Sequence, residues 1–217
     1  VHMSNRTLNK KKFRVATNNV ATNEKSSKPT IWVTWITNPC FSYGQRKYRR
    51  ERKTAVIPPF DKDTHTFERQ KVAKIIEEKG LEVKQERPLF DTYKNWKIGH
   101  FFDIIASSKD KLVAVEVKPT DKDCYNKQYA FAAAVLDRNV NSFRYYVYEY
   151  RTEQFVQKVF PDFSTIRKEM NERVQIILDD IDAEPVPTRY CGFCPFATCV
   201  KHPQNSSLCE IVFEVSS

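Results

Sequence analysis

Glu116 and Lys118 stand two residues apart in "KLVAVEVKPT", and Asp103 lies in the preceding apolar segment "GHFFDIIASS". Residues two apart on a strand share a face. The two segments are joined by "SSKD", which reads as a hairpin turn. If Ala106 pairs with Lys111 across that turn, Asp103 stands opposite Ala114 and diagonal to Glu116, and the three charged groups face one way. Phe101 and Ile105 alternate with Asp103 on that face, as Ala114 does with Glu116 and Lys118. Phe102, Ile104, Val113, Val115 and Val117 take the other face. Both strands therefore read as buried on two sides, where isolated charges are costly. Two carboxylates that share a divalent cation, with an ammonium beside them, resolve that cost. Carboxylate oxygens suit a hard cation such as Mg²⁺. Such an ion polarises a phosphate and lowers the pKa of a bound water. Lys118 would orient that water or stabilise transition-state charge. This chemistry fits phosphodiester hydrolysis, although an isolated E-x-K is more often a chance pair on an amphipathic strand.

A second constellation is "RYCGFCPFATCVKHP", with Cys191, Cys194 and Cys199 within nine residues and His202 just beyond. Three thiols are one short of a four-ligand set. The spacing fits a local zinc knuckle completed by His202 or Cys209, and equally an iron–sulfur site completed by a distant thiol. Cys124 reads as a bystander.

The elements that must position these residues follow from periodicity. "HTFERQKVAKIIEEKG" predicts a helix ended by Gly80, with Val72, Ile75 and Ile76 as its apolar stripe. His65 and Glu68 precede Val72 by seven and four positions and extend that stripe toward the helix start. Strands are predicted over Leu81–Pro88, Gly99–Ser107 and Lys111–Lys118, then a helix over Tyr125–Leu136 and an aromatic-rich strand in "SFRYYVYEY". Ser164–Asp182 predicts an amphipathic helix with Ile166, Met170, Val174, Ile177 and Ile181 inward. "AEPVPTRY" reads as an extended linker, and "CEIVFEV" as a closing strand. Helices against a small mixed sheet make an α/β arrangement.

Charge is uneven along the 217 residues. Residues 1–53 hold 13 Lys+Arg against 2 Asp+Glu, whereas the remainder holds 23 against 25. An anionic polymer is the natural partner, nucleic acid above all. Residues 1–30, opening on Val1-His2-Met3 as an expression remnant, read as a flexible basic tail. "GQRKYRRERK" differs: Pro39 opens a basic helix in which Tyr43 and Tyr48 interleave with Arg46, Lys47, Arg49 and Arg50. That mixture suits phosphate contact and base stacking. No apolar run approaches the roughly 20 residues that span a bilayer, and no signal peptide is evident, so a soluble intracellular protein is expected.

Asp103, the hairpin and Glu116-Val117-Lys118, preceded by a helix carrying His65 and Glu68, resemble the PD-(D/E)XK nucleases, RecB-like branch. The resemblance implies a restriction-endonuclease-like core over about residues 60–160. It implies catalysis by Asp103, Glu116 and Lys118, and a Mg²⁺ or Mn²⁺ shell of His65, Asp103, Glu116 and Val117, with Glu68 as substitute for His65. A subset of that branch, which includes CRISPR-associated RecB-like exonucleases, holds a 4Fe–4S cluster with one Cys before the core and three after it. Here Cys40, in "NPCFSYGQRKY", would join Cys191, Cys194 and Cys199. The cluster would clasp segments 31–53 and 183–203 around a single domain, 31–217, with zinc as the runner-up. The branch often carries Gln followed four residues later by Tyr; Gln128 is present, but position 132 is Ala. The expected activity is a metal-dependent deoxyribonuclease on single-stranded DNA or DNA ends, exonuclease or single-strand endonuclease. The alternatives are a non-catalytic zinc-containing nucleic-acid-binding protein and a duplex- or junction-specific endonuclease of the same fold.

Overall fold

Two long strands form the spine of the molecule. The computed structural model describes residues 28–51, 62–93, 96–109, 111–186 and 194–196. β2 (Glu82–Tyr93) and β3 (Trp96–Ser107) run antiparallel in one register, from Glu82↔Ser107 to Tyr93↔Trp96. The other edge of β3 is divided between two partners. β1 (Thr30–Trp32) pairs parallel with Lys97–Gly99, and β4 (Leu112–Lys118) pairs antiparallel from Ile104 to Ser107. β4 continues beyond β3 and pairs parallel with β5 (Arg144–Glu149) as far as Lys118↔Glu149. β6 (Gln154–Lys158) closes the six-stranded mixed sheet against β5.

Helices cover both faces. On one, α3 (Lys62–Glu77) sets Val72, Ala73 and Ile76 against Ile104, Ala106, Val115 and Val117. On the other, α4 (Asn126–Asn139) packs Tyr129, Ala132, Ala133 and Leu136 on Phe102, Ala114, Tyr145 and Val147. The far side of α4 meets α5 (Phe163–Leu178) and the short α1 (Val33–Ile36) through Phe131, Ala134, Val135, Met170, Val174 and Ile177. α2 (Phe41–Tyr48) lies against α5. Helices on both faces of a twisted sheet are the usual way to bury two apolar sheet faces. Among the described residues no helix is long and apolar enough to cross a membrane.

Several expectations need correction. The hairpin register is Ala106↔Val113 and Ser107↔Leu112, not Ala106 with Lys111, because Ser108 N–H donates to Lys111 O and centres the turn one residue later. Continued along the strands, that register sets Asp103 opposite Glu116 instead of Ala114. Phe102 belongs with the α4-side cluster, not with Ile104 and Val115 on the α3 side. Residues two apart thus face opposite ways, so the pleat slips at Asp103. The slip is shared by β2, where Glu86 takes a left-handed φ of 48°. Buried Arg69, one turn after His65, holds this kink through Gln85 and Glu86.

Helix and strand ends differ too. The helix predicted to Asp182 stops at Leu178, since Asp179 is extended, and Ile181 is 76% exposed. β6 and β1 escaped the sequence reading because "QFVQK" and "TIW" are too short to show a period. α2 starts at Phe41 with Cys40 as its N-cap, so the helix start expected at Pro39 lies two residues too early. Gly80 does follow the α3 turn at φ 80°, a conformation a glycine adopts without strain. The tail before Lys28, the "CEIVFEV" strand and most of the "RYCGFCPFATCVKHP" stretch lie outside the described residues.

Candidate active site

The divided edge of β3 creates a fork. β1 leaves β3 at Gly99 and β4 joins it at Ile104, so residues 100–103 face β4 across a gap in the recorded pairing. Two β3 side chains bridge this gap. Asp103 Oδ2 accepts the Val117 N–H at 2.8 Å, replacing the missing strand partner. His100 Nε2 lies 2.9 Å from Glu116 Oε1, both residues almost fully buried.

α3 brings His65 to the same place. Its Nε2 is 3.2 Å from Val117 O and 3.5 Å from Asp103 Oδ2. Lys118 Nζ lies 3.1 Å from Glu116 Oε2 and 4.0 Å from Asp103 Oδ2. His65, Asp103, Glu116, Val117 and Lys118 are therefore brought together. Glu68 Oε2 lies 3.9 Å from Lys71 Nζ and is buried without a hydrogen-bond partner among the described residues, and Lys71 also binds Glu153.

The electrostatics favour charged forms in the fork. Burial alone would raise the Asp103 carboxyl, but the His65 hydrogen bond, the Lys118 charge and the Val117 N–H bring it down to about 2. Burial pulls Lys118 toward neutrality, yet the Glu116 and Asp103 carboxylates outweigh it and raise its pKa, so it stays an ammonium. Burial and the nearby Glu116 carboxylate push the Tyr145 hydroxyl well up; burial, Asp121 and Glu116 do the same for Tyr129. Neither hydroxyl has a hydrogen-bond partner among the described residues.

A divalent ion can be tested against this donor set. Adjacent ligands of an octahedral ion with bonds of about 2.1 Å stand about 3.0 Å apart. The His65–Val117 O and His65–Asp103 separations of 3.2 and 3.5 Å are close to that. The third donor is a backbone carbonyl; among the described residues no three His, Cys, Asp or Glu side chains are grouped to hold a metal. Glu116 has both oxygens engaged by His100 and Lys118. His100 was missed in the sequence, although a histidine between Gly99 and Phe101 in an apolar strand was a visible signal.

The remaining candidates are placed as follows. Cys40 is half-buried at the start of α2, and Cys194 is half-buried where its segment meets that helix. Phe196 meets the Tyr43 ring edge-on at 6.1 Å, and burial followed by the Cys194 thiol raises the Tyr43 hydroxyl. Cys191, Cys199, His202 and Cys209 lie outside the described residues; Cys124 is exposed. Arg46 and Lys47 lie 5.7 and 5.9 Å over Phe196, and Arg46 also pairs with Glu51 at 3.2 Å. Arg49 pairs with Asp182 and donates to the carbonyls of Asp179 and Asp180. Tyr48 packs on the core, Arg50 is exposed and Gln128 is half-buried on α4.

The crystal structure of SSO0001 superposes on the chain with a TM-score of 0.50, covering 79% of this chain and 85% of that one at 13% identity. At that identity the likeness concerns the fold alone. No protein-family model and no curated protein matches the chain.

Proposed function

We propose that the chain is a metal-dependent deoxyribonuclease with a restriction-endonuclease-like core, acting on single-stranded DNA or DNA ends. The observation that carries this reading is the fork: Asp103 Oδ2 and Val117 O both lie within 3.5 Å of His65 Nε2, beside a half-buried ammonium. His65, Asp103 and the Val117 carbonyl would hold a Mg²⁺ or Mn²⁺ ion, with Glu116 adjacent. When bound there, the ion would supply a Lewis acid for the phosphate and an activated water.

The chain's own groups have separable tasks. Asp103 stays ionised at neutral pH and is aimed by the Val117 N–H. His65 is oriented by Val117 O. Glu116 is fixed from two sides by His100 and Lys118. Lys118, held as an ammonium, is suited to stabilise negative charge growing on phosphate oxygens and unsuited to accept a proton. The four cysteines Cys40, Cys191, Cys194 and Cys199 are proposed to hold a 4Fe–4S cluster, supported by the meeting of Cys194 and Phe196 with the first turns of α2.

A second reading treats the fork as a structural ion-pair network in a nucleic-acid-binding protein. It is favoured by the saturation of Glu116, whose oxygens both have protein partners. End-labelled single- and double-stranded DNA incubated with and without Mg²⁺ or Mn²⁺ separates the two. Cleavage should require the ion and be lost in Asp103→Ala, Glu116→Ala and Lys118→Ala, with binding retained. Wild-type cleavage by Lys118→Ala would defeat the assignment.

A further inference from the structure

The sheet face leading into the fork carries aromatic rings that no helix of the described chain covers. Lys97, Gly99 and Phe101 alternate along β3 on the face opposite buried Ile98 and His100. Trp32 of β1 and Phe90 of β2 flank Gly99 in register. Trp32 and Phe101 are stacked, with centroids 4.6 Å apart and planes at 14°. Phe101 is 53% exposed and Phe90 38%. A Cβ at Gly99 would stand 2.9 Å from the Trp32 ring and 3.0 Å from Phe90, so only glycine lets both rings close over the strand. Three aromatic rings brought together at a surface fit a flat apolar ligand better than they fit water.

Charge indicates which ligand. The 27 residues that precede Lys28 carry six Lys+Arg and one acidic residue. In the chain they precede β1, the strand that carries Trp32, and Lys97 lies on the same face of β3 as Gly99 and Phe101. Aromatic rings for base faces and cations for phosphates are the two components of a single-strand binding surface. Phe101 is two residues from Asp103, about 7 Å along an extended chain. A strand whose phosphate lies in the fork can thus set a neighbouring base on the ring. Tyr43 and Tyr48, the stacking residues read from the sequence, are half-buried against Phe196 and the core.

We propose that the Trp32–Phe101 stack, bordered by Phe90, is the base-stacking platform for single-stranded DNA entering the fork. The position of the phosphate rests on the nuclease reading; the stacking does not. The test uses the full chain in EDTA, so that cleavage is silent, and follows anisotropy of a labelled oligothymidylate. Phe101→Ala should weaken binding about five- to a hundredfold, with the salt slope unchanged because no phosphate contact is lost. An oligonucleotide of abasic residues should bind the wild type at least as weakly as oligothymidylate binds the variant. Phe101→Tyr should restore affinity. Melting of each variant checks folding, and a folded Phe101→Ala with wild-type affinity overturns the proposal. So does dissociation of a homodimer by Phe101→Ala, which would make the rings a contact between copies. Adding Mg²⁺ to the same samples separates the failures. Binding through Phe101 without cleavage sinks only the nuclease reading, and cleavage without any effect of Phe101→Ala sinks only the platform.

Discussion

Replacing Gln45 by Met should cost more stability than replacing any basic residue of α2. Gln45 is 2% exposed, and its amide joins segments more than 130 residues apart. Nε2 donates to Ile176 O at 2.9 Å and to Ile181 O at 2.8 Å, while Oε1 accepts from Ala183 N–H at 2.7 Å. Ile176 lies in the last turn of α5, whose carbonyls have no partner within the helix. Methionine keeps the length and approximate volume, so the change isolates the hydrogen bonds. Ile181 is 76% exposed, so water can replace the amide there, which leaves Ile176 O and Ala183 N–H facing the methionine. Two poorly compensated groups at about 1–1.5 kcal/mol each give a loss of about 2–3 kcal/mol. In a domain of this size that is a fall in Tm of about 4–12 °C. Differential scanning calorimetry on protein with and without chelator measures it. The fall should appear in both, since these bonds need no metal. Arg49→Ala, removing an exposed ion pair, should lower Tm by no more than about 2 °C. A Gln45→Met change within about 2 °C would show that this glutamine does not fasten α2 to α5.

Acid titration probes the fork: Asp103 contributes stability above the unfolded carboxyl value of 3.8 and loses it as pH falls toward its folded value of about 2. Asp103→Asn should therefore flatten the acid limb of urea-unfolding stability between those pH values. His100→Ala should weaken Mn²⁺ binding, read by electron paramagnetic resonance, about ten- to a hundredfold by releasing Glu116, with His100→Gln restoring part of it. Cys40→Ser should bleach iron-loaded, anaerobically purified protein and reduce its iron content, whereas Cys124→Ser, at an exposed position, should not. Colourless wild-type protein with one zinc per chain would instead identify a local zinc knuckle.

The helices α3, α4 and α5 and the strands β3 and β4 were legible because their apolar residues repeat with the period of the element itself. The closeness of Asp103, Glu116 and Lys118 was legible for the same reason, since a hairpin brings nearby residues together by local geometry. The register was not, because it depends on how the Ser108–Lys111 loop closes. Arg69 and Gln45 sat unnoticed in polar stretches. Both are buried by partners elsewhere in the chain, and neither position carries a local mark of that burial.

By itself, then, the sequence determined the longer elements, the α/β class and the carboxylate–lysine set, all of which follow from spacings of a few residues. Tertiary structure decided that β1 and β4 share one edge of β3, and hence that a fork opens between residues 100 and 103. It also decided that His65 reaches Asp103 and that His100 holds Glu116. Periodicity is a property of neighbouring dihedral angles and survives in any short window of the chain. Which strand occupies an edge is a competition among distant segments for the same backbone donors and acceptors, and it is resolved only when the whole sheet is assembled.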